Sequence, residues 1–581
     1  MRRSRIVALT GAVALATTAL GATATSAGAA MTAPASSTST NEARSYLVLA
    51  NEGVSAKDLG RTLERAGATV TRTNEAVGLV TVTSTDSGFA ATARALDGVK
   101  GASADRSIGR APLDVAAAPD PVEKEHVLDR TRANGSAKDI PAPPEGADPL
   151  DGLLWGHEMI DAFAARDLTT GDKVRVGILD TGVDASHLDI APNFDSALSR
   201  NFTTDMPDID GACEYTGCKD PAGVDDNGHG THVAGTIGAA VNGVGMSGIA
   251  PDVELVNLRG GQDSGYFFVQ PVVDALTYAG NNGLDVVNMS FYVDPWLYNC
   301  EGGAPEDSPE EAAEQDLIIA VMNEALAYAQ AHGVTLVGSL GNSHEDLANP
   351  RVDESSPDYP PGTEHPRTID NDTCFDLPVE GEGVLGVSAL GPSERKADYS
   401  NYTTDLTSGE IEVSAPGGWY RDGLGTDTYR TNGNLILSAA PLNVLQADGL
   451  VDKNGNITKP GRINGVLKSC VNGKYNENTS KCAYYQWLQG TSMASPHASG
   501  VAALAVAAHG TGSSAADLTL APAMTKGVVM DTATDHACPA GGVQSYTDVG
   551  RSEEFTATCV GTADFNGFYG DGIVNALGAA Q

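Results

Sequence analysis

The stretch GTSMASPHASGV, residues 490–501, decides how the second half of this chain folds. It places Ser492 at a Gly-Thr-Ser turn, directly before a run of small and apolar residues that is typical of a buried helix. Two further Gly-rich segments lie upstream, VGILDTGVD at 176–184 and NGHGTHVAG at 227–235. Together the three segments supply an acid, a base and a hydroxyl group, each in a turn, and they indicate one shared site.

Short apolar runs of β type alternate with longer helical patterns in the rest of the chain. The runs lie at 174–179, 253–258, 286–289, 334–339 and 384–389. Such alternation is the signature of a parallel sheet that helices cover on both faces. We therefore predict a three-layer α/β/α domain with a mostly parallel sheet over residues 154–581. Asp180 follows the first run directly, at the carboxyl end of a strand, where the active sites of open α/β sheets gather.

The three polar residues have the chemistry of a nucleophilic site. A serine hydroxyl is a poor nucleophile at neutral pH and needs a base within hydrogen-bond reach, which in turn needs an orienting carboxylate. The backbone N–H of Ser492 would lie among the unpaired donors of a helix N-terminus, which suits a developing oxyanion. Asn342, after the apolar run 334–341, is a candidate second donor, although an asparagine there is also typical of an ordinary turn.

The segments around Asp180, His229 and Ser492, in that order, and the closing YGDGIVNA at 569–576 resemble the subtilisin family of serine peptidases. The resemblance covers the predicted α/β domain. It implies an endopeptidase that hydrolyses peptide bonds through an acyl-enzyme and needs no cofactor for catalysis. It also implies that Asp180 orients the base, His229 is the general base and then acid, Ser492 is the nucleophile, and Asn342 is the oxyanion donor.

The same resemblance implies a set of substrate-binding residues. Ser290 matches the family's substrate-lining serine, and Ser264 and Gly265 match the edge that pairs with extended substrate by β-augmentation. Tyr292 stands where the family usually has a glycine, so we expect a narrowed or reshaped pocket for the residue before the cleaved bond. The stretch 343–378 is longer than the family minimum and is expected near the wall of that pocket.

A structural calcium ion is a further implication of the resemblance. Its ligands would be the side chains of Asp189 and Asn242 and the carbonyl groups of Ala240, Val244 and Met246. Oxygen ligands are those that calcium prefers. An ordinary turn beside a surface aspartate is the alternative.

The N-terminus has the layout of an export signal. Residues 1–29 combine a basic start, a short apolar run and an A-x-A cleavage pattern at 27–29, which predicts a secretory signal peptide and a secreted protein. Arg2-Arg3 also permits twin-arginine export. We find no second long apolar segment, so we expect no membrane insertion after the signal is removed.

Residues 44–110 form a separate predicted unit in which strands and helices follow the order βαββαβ, which suits a ferredoxin-like α+β fold. The resemblance implies an inhibitor-like propeptide that helps the peptidase domain to fold, while an unrelated accessory domain is the alternative. Residues 111–153 are rich in Ala, Pro, Asp and Gly and are predicted to be a linker or N-terminal extension. We expect the maturation cleavage between Arg110 and Asp120.

The composition limits the partners. The chain has 581 residues, a formal net charge of −39 and a pI of about 4.4, so its surface repels phosphate backbones and nucleic-acid binding is excluded. We expect a monomer whose partners are protein or peptide substrates and its own propeptide. A non-catalytic peptide-binding protein on the same fold is the alternative function, and a narrow processing protease competes with a broad scavenger.

The eight cysteines predict four disulfides in an exported protein. Proximity in sequence favours Cys213–Cys218, Cys470–Cys482 and Cys538–Cys559, which leaves Cys300 with Cys374. A zinc cluster is the alternative, but no C-x-x-C spacing supports it. The acidic run 306–316 is compatible with calcium, but Ser308-Pro309-Glu310-Glu311 has the form of a helix N-cap with a capping box.

Overall fold

A computed structural model describes residues 43–105, 122–128, 141–144, 146–471 and 481–581. The predicted signal peptide and the expected cleavage region lie outside the described residues. No helix within these ranges is long and apolar enough to cross a bilayer.

The secondary-structure elements are numbered in chain order. The strands are β1 Arg44–Ala50, β2 Thr69–Asn74, β3 Leu79–Ser84, β4 Val99–Ala104, β5 Arg175–Leu179, β6 Arg200–Asn201, β7 Glu254–Arg259, β8 Val286–Met289, β9 Asn299–Cys300, β10 Thr335–Ser339, β11 Val352–Asp353, β12 Arg367–Thr368, β13 Cys374–Phe375, β14 Leu385–Leu390, β15 Val413–Pro416, β16 Ile436–Ala440, β17 Leu467–Cys470, β18 Cys482–Leu488, β19 Val543–Gln544 and β20 Ala557–Thr558. The helices are α1 Ala56–Arg65, α2 Phe89–Arg94, α3 Glu125–Leu128, α4 Trp155–Met159, α5 Ala162–Ala165, α6 His229–Gly238, α7 Val269–Asn281, α8 Pro309–Ala331, α9 Leu442–Ala447, α10 Lys459–Ile463, α11 Thr491–His509, α12 Pro522–Asp531 and α13 Ala576–Ala579.

The centre of the molecule is a seven-stranded sheet in the order β15-β14-β10-β8-β5-β7-β6, and every pairing in it is parallel. Alternate strand residues face opposite layers, as the pleat requires. Val176 and Val286 pack with α6 and α11, whereas Leu179 and Val287 pack with α7 and α8. The predicted three-layer α/β/α fold is therefore confirmed.

The five predicted strands of this sheet are β5, β7, β8, β10 and β14, each within one residue of its predicted bounds. The outermost strands β6 and β15 were not predicted, because they have two and four residues and carry no long apolar run. Helix α8 begins as its sequence predicts. The Ser308 side chain accepts from Glu311 N at 3.3 Å, and the Glu311 carboxylate accepts from Ser308 N at 2.8 Å.

The four predicted disulfides are present: Cys213–Cys218, Cys300–Cys374, Cys470–Cys482 and Cys538–Cys559. No cysteine in the described residues is free. The long bridge between residues 300 and 374 joins the antiparallel pair β9–β13 and fixes the end of the long stretch 343–378 beside the main domain.

The N-terminal unit has the predicted βαββαβ order and an antiparallel sheet, β2-β3-β1-β4. Leu47, Leu49 and Leu79 share one apolar cluster with α7 and α8. Polar contacts surround this cluster: Asn74 Nδ2 donates to Asp274 Oδ1 at 2.7 Å, and Thr81, Arg72 and Lys100 reach other polar groups of the two helices. The unit is thus docked on the outer face of the α7–α8 layer.

Candidate active site

Asp180 and His229 form a close pair at the carboxyl edge of the sheet. Asp180 follows β5 directly, and its side chain is fully buried. His229 is the first residue of α6, and its Nδ1 lies 2.7 Å from Asp180 Oδ1. The carboxylate therefore fixes the ring orientation and favours the tautomer that leaves Nε2 available as a base.

The local sequence makes this approach possible. A Cβ on Gly230 would lie 2.1 Å from Gly182 O, so only glycine permits α6 to begin this close to the loop after β5. Asp225 anchors the start of the helix, since its carboxylate accepts from Gly228 N at 2.8 Å and from Thr231 N at 3.0 Å. The histidine position thus follows from backbone packing as well as from its own hydrogen bond.

Ser492 is the second residue of α11, at the helix N-terminus. Its hydroxyl donates to Ser290 O at 3.4 Å, and Ser290 Oγ donates to Ser492 O at 3.2 Å. The predicted substrate-lining serine therefore lies directly against the predicted nucleophile. The N-terminal position of Ser492 turns its backbone N–H outward, because the first N–H groups of a helix lack intrahelical acceptors.

Asn342 is held by the residue before this serine. Its Oδ1 accepts from Thr491 N at 2.9 Å and from Thr491 Oγ1 at 3.0 Å, which directs the amide N–H₂ to the other side. A Cβ placed on Gly490 would lie 3.5 Å from Asn342 Nδ2 and 3.3 Å from Glu123 Cγ. The amide nitrogen and the Glu123 side chain thus approach the same space beside Ser492.

A short stretch of the chain, residues 122–126, lies across the candidate active site. We call this stretch the cleft segment. Glu123 Oε1 lies 3.3 Å from His229 Nε2, and its carboxylate also hydrogen-bonds Ser492. Gln489 N donates to Glu123 O at 3.3 Å, and Gln489 Nε2 donates to Val122 O at 2.9 Å. This contact was not predicted, because the segment lies in a stretch whose composition indicates only a linker.

The contact changes the protonation of both groups. Burial opposes the charged forms of Glu123 and His229. The His229 charge and hydrogen bonds from His229 and Ser492 nevertheless hold the pKa of Glu123 below its usual 4.5. Asp180 and Glu123 likewise raise the pKa of His229 well above 6.5. The imidazole flanked by two carboxylates is therefore protonated at neutral pH.

A second acidic residue of the cleft segment is held by two arginines. Arg421 Nε donates to Glu125 Oε1 at 2.6 Å, and Arg551 donates to Glu125 Oε2 at 3.0 Å. Gln489 Nε2 lies 3.3 Å from the same Oε2. The three side chains that bind this carboxylate all lie outside the predicted motifs. Their shared role is evident only from the folded structure, which brings them together.

The predicted substrate edge is a turn and not a paired strand. Gly265 has a φ of +93° and donates to Gln262 O at 3.0 Å, and Ser264 N donates to Asp210 Oδ1 at 2.9 Å. Asn227 Nδ2 donates to Asp263 O at 2.9 Å and ties this turn to the loop that carries His229. Both predicted edge residues therefore lie in a turn that is tied to the loop of His229, and their pairing with substrate stays a prediction.

Tyr292 is fixed by the long stretch 343–378. Its hydroxyl donates to Asp358 Oδ2 at 2.8 Å, while Tyr266 OH donates to Asp358 O at 3.3 Å. Burial raises the pKa of Asp358 to about 6, and a hydrogen bond joins its carboxyl group to that of Asp294. The stretch thus bridges the tyrosine beside Ser290 and the tyrosine beside Gly265, as expected for a pocket wall.

The residues named for calcium come together and are joined by hydrogen bonds. Asp189 Oδ2 accepts from Tyr485 OH at 2.7 Å and from Met246 N at 3.2 Å. Asn242 turns its amide N–H₂ toward Asp189 Oδ1, and its own oxygen accepts from Val244 N at 2.9 Å. Asp189 and Asn242 are thus hydrogen-bonded as in an ordinary turn, while a calcium ion held by these two side chains and the carbonyl groups of Ala240, Val244 and Met246 stays a prediction.

Comparisons with known proteins agree with this geometry. The profile described as Subtilase family matches residues 171–548. Subtilisin DY of Bacillus licheniformis is 28% identical over 269 residues, which are 46% of this chain and 73% of that protein. Subtilisin BL of Lederbergia lenta is 32% identical over 264 residues, 45% of this chain and 71% of that protein. The crystal structure of an epidermin leader peptide processing serine protease from Staphylococcus aureus has a TM-score of 0.57 at 17% identity and covers 93% of this chain and 98% of its own.

Proposed function

This chain belongs to the subtilase family and is a serine endopeptidase, and we propose that Asp180, His229 and Ser492 are its catalytic triad, with Asn342 as the oxyanion donor. The observation that carries the assignment is the 2.7 Å pair of Asp180 and His229, together with the Glu123 carboxylate that contacts both His229 and Ser492. The pair supplies an oriented base, and the helix end supplies the nucleophile and a backbone donor.

The proposed reaction passes through an acyl-enzyme. His229 Nε2 takes the hydroxyl proton of Ser492 as Oγ attacks the peptide carbonyl, and Asp180 stabilises the imidazolium that forms. Ser492 N–H and Asn342 Nδ2 donate to the resulting oxyanion. His229 then gives its proton to the leaving amine, the C–N bond breaks, and a water activated by the same imidazole releases the acid product and restores the serine.

Replacement of the nucleophile tests this assignment. Ser492→Ala should lower kcat on peptide substrates by about a millionfold, the loss found for the corresponding change in a subtilisin. Ser513→Ala, at an exposed serine, is the matched control and should keep wild-type turnover. Turnover by the Ser492→Ala variant would reject the triad. A wild type that binds peptides without cleaving them would instead favour the peptide-binding alternative.

The chain is further proposed to be an exported precursor that is silent until it is processed. Two features support this: the N-terminal unit docked on α7 and α8, and the Glu123 carboxylate between His229 and Ser492. In this proposal residues 1–29 are the signal peptide and residues 44–110 the inhibitory propeptide. Intact mass and N-terminal sequence of the secreted wild type beside Ser492→Ala test it, because only the wild type should lose its N-terminal region by self-cleavage.

We propose that the enzyme cleaves a restricted range of peptide sequences and not a broad one. Tyr292 follows Ser290 by two residues, its hydroxyl is fixed by Asp358, and Ser290 contacts Ser492, so the tyrosine ring is proposed to narrow the space next to the nucleophile. Digestion of a peptide library should therefore give few cleavage motifs with small side chains before the cleaved bond. Cleavage after large aromatic and aliphatic residues alike would contradict this.

A further inference from the structure

Glu125 shows how the cleft binds an acidic side chain. Each of its two carboxylate oxygens meets a different guanidinium group, at 2.6 Å for Arg421 and 3.0 Å for Arg551. The Glu125 side chain is 14% exposed, and those of Arg421 and Arg551 are 16% and 18% exposed. Hydrogen bonds between charged groups are stronger at such a largely buried position than on a solvent-exposed surface.

The charges around the two arginines do not balance without Glu125. Arg551 Nε donates to the buried carboxylate of Asp398 at 2.6 Å, and Arg421 donates to the carbonyl of Val549 at 2.8 Å. Among the residues that the structure describes, Asp398 is then the one carboxylate paired with the two guanidinium groups once Glu125 leaves. In a chain with a net charge of −39, this is a local positive site beside the catalytic serine.

The position of this site suits a peptide ligand. Gln489, three residues before Ser492, holds the backbone of the cleft segment through Val122 O and Glu123 O and also contacts the Glu125 carboxylate. A single residue, through its backbone N–H and its side-chain amide, thus links peptide binding, the acidic-residue contact and the loop of the nucleophile. A substrate that takes the place of the cleft segment passes the same donors.

We propose that Arg421, Arg551 and Gln489 form a subsite for the carboxylate side chain of a peptide substrate. The mature enzyme then prefers peptides that carry Asp or Glu near the cleaved bond. The inference rests on the proposed function, since it requires a working Ser492 and departure of the cleft segment. A purely structural role, in which the arginines only anchor the precursor, is the competing explanation.

Paired substrates test the subsite on the mature enzyme. Internally quenched peptides that differ by one Glu→Gln exchange are scanned through the positions on both sides of the scissile bond. At one position the Glu peptide should have a kcat/KM about tenfold higher than its Gln partner, and the preference should fall as ionic strength rises. Equal rates at every position would overturn the proposal.

Variants connect the preference to the arginines. Arg421→Gln should reduce the Glu/Gln ratio of kcat/KM to near one, and Arg421→Glu should favour a Lys peptide instead. Arg421 is chosen because replacing Arg551 would strip the buried Asp398 of its partner and risk misfolding. Arg200→Gln, on exposed β6, is the matched control and should keep the ratio.

Two failures are distinguishable in this design. If the wild type cleaves both peptides and Arg421→Gln leaves their ratio unchanged, the arginines are only an anchor and the subsite is rejected while the enzyme assignment stands. If no peptide is cleaved by a mature wild type whose cleft segment has left the site, the proposed function fails and the subsite fails with it.

Discussion

The Glu123 carboxylate is expected to keep the precursor inactive, and Glu123→Gln in the full-length chain tests this directly. The change preserves the size of the side chain but removes the charge that faces His229 Nε2 at 3.3 Å. The imidazole then loses one of the two carboxylates that raise its pKa. We expect the cleft segment to leave the site more often and Ser492 to become reactive in the uncleaved chain.

The magnitude follows from the distance and the burial. Two unit charges at 3.3 Å attract by about 5 kcal/mol at an effective dielectric constant of about 20. The side chains of Glu123 and His229 are only 9% and 14% exposed, so desolvation of both charges offsets a large part of this attraction. A net contribution of about 2 kcal/mol remains, in line with hydrogen bonds to charged groups, and corresponds to about 30-fold in the docking equilibrium.

The sign of the pH dependence follows from the two pKa shifts. The raised pKa of His229 stabilises docking fully below the pKa of the undocked imidazole, and this contribution is lost as the pH rises through the docked value. The lowered pKa of Glu123 stabilises docking above its usual 4.5, and this contribution is lost as the pH falls through the docked value. Docking should therefore be tightest between these limits, and alkaline pH should release the segment.

Labelling by a fluorophosphonate reports the release, because this reagent reacts only with an accessible, activated serine. At pH 7 the uncleaved Glu123→Gln chain should be labelled about 30-fold faster than the wild type, and the difference should shrink at alkaline pH. Glu158→Gln, at an exposed glutamate of α4, is the matched control, and mature enzyme corrects for intrinsic reactivity. Equal labelling of Glu123→Gln and wild type at every pH would refute the reasoning.

Three further predictions concern the site and its surroundings. Asn342→Ala should lower kcat by about 100- to 1,000-fold with little change in KM, the loss known for this donor in a subtilisin; steady-state kinetics would contradict the oxyanion role if KM alone changed. Tyr292→Gly should raise kcat/KM for peptides with a large residue before the cleaved bond by about tenfold relative to alanine peptides, and an unchanged ratio would count against a narrowed pocket. EDTA should shift Tm by the same amount in wild type and in Asp189→Asn, because the Tyr485 hydroxyl and a backbone N–H group already donate to the Asp189 carboxylate. A shift seen only in the wild type would support the predicted calcium site.

Local sequence patterns predicted the elements that carry their own signal. Strands β5 and β8 are buried apolar runs, and α8 has a complete capping box, so each is specified by neighbouring residues. The four disulfides were predictable because three of the loops that they close are short. The two-residue β6 has no such signal, since its pairing with β7 depends on where the preceding loop packs.

Contacts between segments that lie far apart in the chain could not be predicted either, because they have no local sequence signal. Glu125 is separated from Arg421 by 296 residues and from Arg551 by 426, and no periodicity or motif relates them. Tyr292 was predicted at the pocket, but its partner Asp358 depends on the course of a stretch without regular patterning. Chemistry can therefore be assigned from motifs, whereas regulation and specificity here depend on where loops and linkers come to rest.

Catalysis and inhibition at this site use the same property of His229. In the proposed mechanism the imidazole becomes charged only while it carries the proton of Ser492, and Asp180 stabilises that transient charge. Glu123 adds a second carboxylate on the opposite nitrogen and raises the pKa of the imidazole further. A protonated imidazole cannot accept the serine proton, so we expect the cleft segment to block the proposed reaction electrostatically as well as by filling space. Glu123→Gln removes the charge of the carboxylate, and alkaline pH removes the proton from His229. Each change takes away one charge of the pair, so both are expected to release the cleft segment.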